Sequence, residues 1–264
     1  MKARILSAIV LIALVLAVLV FAPTWASLAA IGVAIAVCAW EWSTFLRAGQ
    51  AVRFLFIALV VVATGAGWQF SADPRLLRIV LWIAAAWWLL ALVLVVRGPA
   101  TVTRALAFIG GLLVLVPAGI ALLRLRVDHG GAWTLFVLVL VWAADTGAFV
   151  AGKAFGRHRL APLVSPGKTW EGVAGGLLLA AAVALLASPS LHQPYLPLAL
   201  VGIAVAVFSV IGDLTESLFK RFAGVKDSGH LIPGHGGLMD RLDSVTAAAP
   251  ILLLGLTEWL AVGG

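Results

Sequence analysis

The stretch IVLWIAAAWWLLALVLVV, residues 79–96, decides the fold class, because its 18 consecutive residues are all apolar. An α-helix rises about 1.5 Å per residue, so about 20 apolar residues cross a bilayer core of about 30 Å. The same reading, applied between charged residues, prolines and glycines, finds nine such segments. They cover residues 5–22, 25–46, 54–72, 76–96, 105–123, 132–152, 169–187, 196–219 and 244–262. The sequence therefore predicts an all-α, polytopic integral membrane protein with about nine transmembrane helices.

The composition of the 264-residue chain supports this class. Hydrophobic residues make up 63% and charged residues 11%, whereas soluble domains average about 45–50% apolar and about 25% charged. This excludes a soluble enzyme, a disordered chain and a nucleic-acid-binding protein. The net charge of +7 is a modest excess of 18 basic over 11 acidic residues, so it does not indicate a nucleic-acid partner.

The basic residues predict the orientation, because cytoplasmic loops carry an excess of Lys and Arg. With nine spans and the N-terminus inside, 14 of the 18 basic residues fall in inner segments. We therefore expect a cytoplasmic N-terminus and an external C-terminus, in the plasma (inner) membrane. Two alternatives stay open for the first run. The first alternative is a signal peptide, although the run exceeds the usual 7–15-residue apolar region. The second is a helix that does not span the membrane, in which case the N-terminus lies outside.

The acidic residues are concentrated after residue 140, where eight of the eleven occur. A charge inside an apolar helix costs at least about 2.5–3.5 kcal/mol, so such residues need a reason. We predict N-terminal scaffold helices with lipid contacts over 1–130 and a C-terminal catalytic region over 131–264. Glu41, near the cytosolic end of its span, is expected to reach the headgroup region or to pair with Arg47 rather than to act in catalysis.

A first polar segment runs through residues 145–172. Ser165 followed by Pro166 predicts a helix start, with a hydroxyl cap and proline at the first helical position. Lys168 beside such a helix end favours a phosphate. Lys168 and Glu171, three residues apart, are expected to pair across one turn. A capped helix start with an interfacial lysine remains the alternative.

The second polar segment is GDLTESLFKRFAGVKDSGHLIPGHGGLMDRLDS, residues 212–244. Helical spacing places Asp213, Glu216, Ser217 and Lys220 on one face, which must look into a cavity or the protein interior. Two further acids, Asp240 and Asp243, open the last predicted span. The loop 233–237 has little side-chain bulk and can bring backbone amides close to a phosphate.

These residue types predict a nucleotide–metal site for phosphoryl or nucleotidyl transfer. Carboxylates from two helix ends can share a hard cation such as Mg²⁺, and neighbouring Lys and Arg suit phosphate. Salt bridges that only hold helix ends together are one alternative. A secondary transporter is another, but it predicts polar residues spread over several spans, whereas here they cluster in spans six to nine.

Residues 217–243, SLFKRFAGVKDSGHLIPGHGGLMDRLD, resemble the signature of bacterial phosphatidate cytidylyltransferases, also called CDP-diacylglycerol synthases. The matching polar and glycine positions are Ser217, Lys220, Arg221, Lys226, Asp227, His235, Gly236, Gly237, Asp240, Arg241 and Asp243. The stretches 145–152 and 165–172 also resemble the family, although Phe149 replaces an expected tyrosine and Gly167 an expected lysine. The clear resemblance covers about the last 120 residues.

The resemblance implies a dimeric membrane enzyme that converts CTP and phosphatidate to CDP-diacylglycerol and pyrophosphate with Mg²⁺. It implies a polar cavity open to the cytosol. The paired metal-binding aspartates of the family fall on Asp213 and Asp240, and a monovalent ion such as K⁺ is implied beside Mg²⁺. A related enzyme acting on another lipid phosphate stays open, because contacts with lipid tails are apolar and unspecific.

The expected mechanism needs no covalent nucleophile, because a phosphatidate oxygen is already ionised near pH 7. Catalysis then rests on positioning and charge neutralisation. The phosphate-binding candidates are Ser165, Lys168, Ser217, Lys220, Arg221, Lys226 and Arg241. Asp227 and Asp243 are second candidates for the metal or for orienting Lys220 and Arg241. His235, next to Gly236 and Gly237, either touches phosphate or only satisfies its own loop.

Overall fold

The computed structural model describes residues 13–232 and 236–260, and most of this part is helical. The helices are α1 (Thr24–Trp42), α2 (Gln50–Phe70), α3 (Pro74–Arg97), α4 (Arg104–Arg124), α5 (Gly131–Phe155), α6 (Trp170–Ala187), α7 (Tyr195–Ala223) and α8 (Met239–Gly255). Short π-helical turns cover Ala17–Phe21, Leu125–His129 and Leu256–Leu260, and 3₁₀ turns cover Ser43–Leu46 and Pro99–Thr101. The strands β1 (Arg159–Ala161) and β2 (Ser165–Thr169) form one antiparallel hairpin between α5 and α6.

Seven helices of the described part are long and apolar enough to cross a membrane. They are Thr24–Leu46, Gln50–Phe70, Pro74–Arg97, Arg104–His129, Gly131–Phe155, Trp170–Ala187 and Tyr195–Ala223. They match the second to eighth predicted spans, which confirms an all-α, multi-pass membrane protein. Of the first predicted span, 5–22, residues 5–12 lie outside the described residues, and residues 13–21 are helical.

The ninth predicted span, 244–262, differs from the helix that the structure contains. Helix α8 begins at Met239, five residues earlier, and it is not among the seven candidate spans. Every residue from Ser244 to Leu253 is buried, because α8 packs against α3, α4 and α7. Helix α8 is therefore a central core helix, and its apolar side chains pack against other helices rather than facing lipid.

Helix α1 is fixed to the same core by a tryptophan. The fully buried Trp42 donates from Nε1 to the carbonyl of Ala107 in α4 at 3.0 Å. Its ring centroid lies 4.9 Å from that of Phe219 in α7. The end of α1 is thus held beside the polar end of α7.

The loops predicted to lie inside share one end of the molecule. Gly98 lies against Leu163, Arg221 donates to the carbonyl of Val164 at 3.3 Å, and Arg47 approaches the carbonyl of Phe222 at 3.4 Å. These contacts join the α1–α2, α3–α4 and α5–α6 connections to the end of α7. That this end faces the cytoplasm stays a prediction.

The predicted helix start at Ser165 and Pro166 is wrong. Both residues lie in β2, whose pairing with β1 places Ala161 opposite Ser165 and Arg159 opposite Thr169. Helix α6 begins only at Trp170, and its cap is Thr169, whose hydroxyl accepts from the Gly172 amide at 3.1 Å. Threonine caps nearly as well as serine, so the hairpin pairing decides which hydroxyl becomes the cap.

Helices α5 and α6 pack with their backbones in close contact. A Cβ atom at Gly147 would lie 2.5 Å from the carbonyl oxygen of Gly175, and one at Gly176 would lie 2.7 Å from that of Ala144. Only glycine leaves room for this approach. The approach sets where α6, and the hairpin before it, stand relative to α5.

The substitution Gly175→Leu is expected to separate α5 from α6. A Cβ there would lie 2.3 Å from the Cβ of Ala151, and overpacking of this kind costs about 1–3 kcal/mol. We expect a lower unfolding temperature in detergent. The control Gly65→Leu adds the same side chain in α2 where no atom lies within 4 Å, so an equal drop there would contradict the prediction.

Candidate active site

The polar face predicted on α7 is present. The Lys220 amino group binds the Glu216 carboxylate one turn away and donates to Oδ1 of Asp240 in α8 at 2.7 Å. The Ser217 hydroxyl lies 3.5 Å from Oδ1 of Asp213. Glu216 and Asp240 are almost fully buried, with 1% and 6% of their side chains exposed. Lys220 therefore joins two helices through a pair of buried carboxylates.

The hairpin brings a second lysine to the same face. Lys168 in β2 forms an ion pair with Asp213, and both side chains are about one quarter exposed. The predicted pair between Lys168 and Glu171 is wrong, because Lys168 precedes the helix instead of lying on it. Glu171 instead has its Oε1 atom 2.6 Å from Nδ1 of His158.

Asp240 sits in a cradle of donors at the start of α8. Its Oδ2 atom accepts from the Ser228 amide at 2.9 Å and the Gly237 amide at 2.8 Å, and it lies 3.0 Å from the Ser228 hydroxyl. Burial alone would raise the pKa of Asp240, but the hydrogen bonds from Lys220, Gly237 and Ser228 hold it below its ordinary value. Asp240 is therefore an anion at neutral pH.

The glycine-rich loop forms part of the hydrogen-bonding environment of Asp240. Gly236 has φ +84°, and a Cβ atom there would lie 2.6 Å from Oδ2 of Asp240. The Gly237 amide donates to the same oxygen. The predicted contact of this loop with a phosphate stays a prediction. Of the predicted loop residues, His235 lies outside the described residues.

Glu41 is the residue that sequence reasoning missed. It does not pair with Arg47: its buried carboxylate accepts from the Ser228 hydroxyl and from the amides of Leu238 and Met239. Its only local signal was an acid in an apolar helix, and its partners lie 187 to 198 residues later.

Two further acids lie beside the cluster formed by Asp213, Lys220 and Asp240. Asp145 on α5, exposed at the rim, interacts electrostatically with Asp213, Lys168 and Arg241. Asp243 on α8 is close enough to interact with Asp213 and Glu216. Asp145 could have been nominated from the sequence, because it is an acid within an apolar span.

Other predicted residues lie at the edge of the cluster. Arg221 donates to the carbonyl of Val164 at 3.3 Å, Lys226 and Asp227 are exposed, and Ser165 pairs with Ala161 in the hairpin. Their substrate contacts stay predictions.

The donor set suits a hard divalent cation in kind and charge. Five carboxylates, at positions 145, 213, 216, 240 and 243, surround three cations, at 168, 220 and 241. Oε1 of Glu216 is buried and has no hydrogen-bond partner in the described part of the chain. Oxygen-only donors with excess negative charge fit Mg²⁺. No three His, Cys, Asp or Glu side chains of the described residues are arranged as a ready metal cage, because lysines stand between the carboxylates.

Comparisons with known proteins extend the sequence resemblance. A profile of the Cytidylyltransferase family matches residues 2–257. The phosphatidate cytidylyltransferase of Haemophilus influenzae is 42% identical, covering 95% of this chain and 96% of the relative. That of Pseudomonas aeruginosa is 43% identical, covering 87% and 88%. The similarity is therefore not confined to about the last 120 residues, as the motif alone suggested, but includes the N-terminal helices.

Proposed function

The chain belongs to the cytidylyltransferase family and converts CTP and phosphatidate to CDP-diacylglycerol and pyrophosphate, and we propose that the reaction takes place at the cluster around Asp213, Lys220 and Asp240. One observation carries this placement. Helices α7 and α8 and the hairpin bring carboxylates and lysines together at one end of the membrane helices. That combination suits a cation-bound triphosphate next to a lipid phosphate.

The chemistry requires positioning and charge neutralisation. A phosphate oxygen of phosphatidate attacks the α-phosphorus of CTP, the bond to the β-phosphate breaks, and pyrophosphate leaves with that electron pair. Lysine carries three N–H donors. The described contacts of Lys220 use two of them and that of Lys168 uses one. The remaining donors can hold phosphate oxygens in line for attack.

The proposed cation is Mg²⁺, with Asp213 and Asp240 as its holders and Asp243 as a further candidate. Bound Mg²⁺ supplies positive charge for the triphosphate and the leaving pyrophosphate. The buried Oε1 atom of Glu216, which has no hydrogen-bond partner among the described residues, supports a cation at this cluster. A neighbouring K⁺ and a homodimer rest on the family resemblance.

We propose that the site faces the cytoplasm from the inner membrane, where CTP arrives from water and phosphatidate from the bilayer. The distribution of basic residues supports this orientation. So does the meeting of the predicted inner loops at the end that carries the site.

The direct test uses the purified protein in detergent with α-phosphate-labelled CTP, phosphatidate and Mg²⁺. We expect one labelled CDP-lipid for each pyrophosphate released, and no product when phosphatidate is omitted. Substituting other lipid phosphates for phosphatidate measures the choice of substrate. Absence of any CTP-dependent lipid product would contradict the proposed function.

A further inference from the structure

Glu41 ties the N-terminal helix α1 to the start of α8. Its carboxylate is buried, with only 2% of the residue exposed. Oε1 accepts from the Leu238 amide at 3.0 Å, and Oε2 accepts from the Met239 amide at 2.7 Å. The first amides of a helix have no partner within the helix itself. Glu41 therefore caps α8 from another helix.

The same carboxylate reaches Asp240 through one serine. The buried Ser228 hydroxyl lies 3.0 Å from Oε2 of Glu41 and 3.0 Å from Oδ2 of Asp240. A hydroxyl has one proton, so it donates to one of these oxygens at a time. The Ser228 amide is donated to Asp240 as well. Ser228 thus stands between Glu41 and the carboxylate of the site.

Glycines let Glu41 press against both sides of this loop. A Cβ atom at Gly229 would lie 2.6 Å from Oε1 of Glu41, and one at Gly237 would lie 2.4 Å from Oε2. Gly237 also donates its amide to Asp240. In the part of the chain that the structure describes, the hydrogen-bond partners of Glu41 are backbone amides and a hydroxyl rather than a cation.

We propose that Glu41 is a positioning residue for cytidylyl transfer. It holds the Ser228 hydroxyl and the Leu238 and Met239 amides, so that the neighbouring amides of Ser228 and Gly237 set the carboxylate of Asp240 against Lys220. Glu41 contacts neither Lys220 nor Oδ1 of Asp240, the atom to which Lys220 donates. It acts through Ser228 and the loop. The inference rests on the proposed function, which places Asp240 in the active site.

The test is the variant Glu41→Gln. Leu238 and Met239 each donate to a different oxygen of Glu41. Glutamine replaces one of these oxygens by an NH₂ group, so one backbone N–H group loses its acceptor and faces another donor. We expect kcat of the folded enzyme to fall about 10- to 100-fold, the range found for residues that orient a ligand from behind. The KM values for CTP and phosphatidate should stay near those of the wild type, since Glu41 contacts neither substrate.

Ser228→Ala provides a second variant on the same route and keeps the inference testable if Glu41→Gln does not fold. It should lower kcat less, because the Ser228 amide still binds Asp240. The double variant should be no worse than Glu41→Gln alone, because residues on one route are not additive. Wild-type kcat in the folded Ser228→Ala enzyme, or fully additive losses, would overturn the inference.

The matched control is Ser43→Ala. Ser43 is fully buried near the same end of α1, where its hydroxyl binds the Trp40 carbonyl and Arg53 instead of the α8 loop. We expect a lower unfolding temperature with unchanged kcat. If Glu41→Gln behaves in the same way, the residue is only structural and the inference is wrong.

Asp240→Asn separates the two possible failures. An active Asp240→Asn enzyme would remove the proposed site and the inference with it. An inactive Asp240→Asn enzyme alongside a fully active Glu41→Gln enzyme would leave the proposed site in place and overturn the role of Glu41 alone.

Discussion

Asparagine at either Asp213 or Asp240 is expected to abolish CDP-diacylglycerol formation while the protein stays folded in detergent. The substitution keeps the shape of each side chain and removes the negative charge that a cation and the adjacent lysine require. Removing one preorganised hydrogen-bond donor at a reacting centre costs about 100- to 1,000-fold in kcat, and we expect the loss of a metal-binding carboxylate to cost at least as much. The measurement is the initial rate with labelled CTP at saturating substrates.

The control for both variants is Asp128→Asn at the opposite end of the molecule. Asp128 pairs with Arg124 at 3.6 Å and is partly exposed, so its loss should leave the rate unchanged. Near-normal turnover in Asp213→Asn or Asp240→Asn would rule out the metal assignment. If one of the two variants elutes as an aggregate, the metal assignment is tested with the other variant.

The second large effect is expected from Lys220→Met, and it falls on stability as well as activity. Lys220 is the cation between Glu216 and Asp240, whose side chains are 1% and 6% exposed. Removing one partner of a buried ion pair costs about 3–5 kcal/mol, because the remaining charge has no compensation. The unfolding temperature in detergent should fall sharply and product formation should cease.

A compensating variant makes this prediction specific. Lys220→Met combined with Glu216→Gln removes one of the stranded charges and should recover part of the lost unfolding temperature, without restoring turnover. The exposed Lys153→Met on α5 loses the same charge where nothing buried depends on it, so its unfolding temperature should match the wild type. If the double variant is no more stable than Lys220→Met, the buried charge is not the cause.

The polar face of α7 could be predicted because its geometry is local. Residues three, four and seven positions apart share a face in any α-helix, and an apolar span forces such a face inward. The structure accordingly pairs Lys220 with Glu216 and places Ser217 near Asp213. The same argument could have added Asp145.

The partners of Lys168 could not be predicted in this way. Ser165 and Thr169 are both able to cap a helix, and choosing Ser165 put Lys168 on a helix beside Glu171. Pairing of β2 with β1 shifts the helix start to Trp170. Lys168 then reaches Asp213 on α7, a contact across 45 residues.

The sequence by itself determined the membrane class, seven helices long and apolar enough to cross a membrane, the polar face of α7 and the family, because these depend on apolar length, helical period and a dense local motif. Only the tertiary structure decided that α8 is a buried core helix, that the hairpin delivers Lys168 to Asp213, and that Glu41 holds the loop around Asp240. Those contacts join residues far apart in the chain. Their partners are backbone amides or side chains that the packing of whole helices brings within 3 Å, and no local pattern encodes that packing.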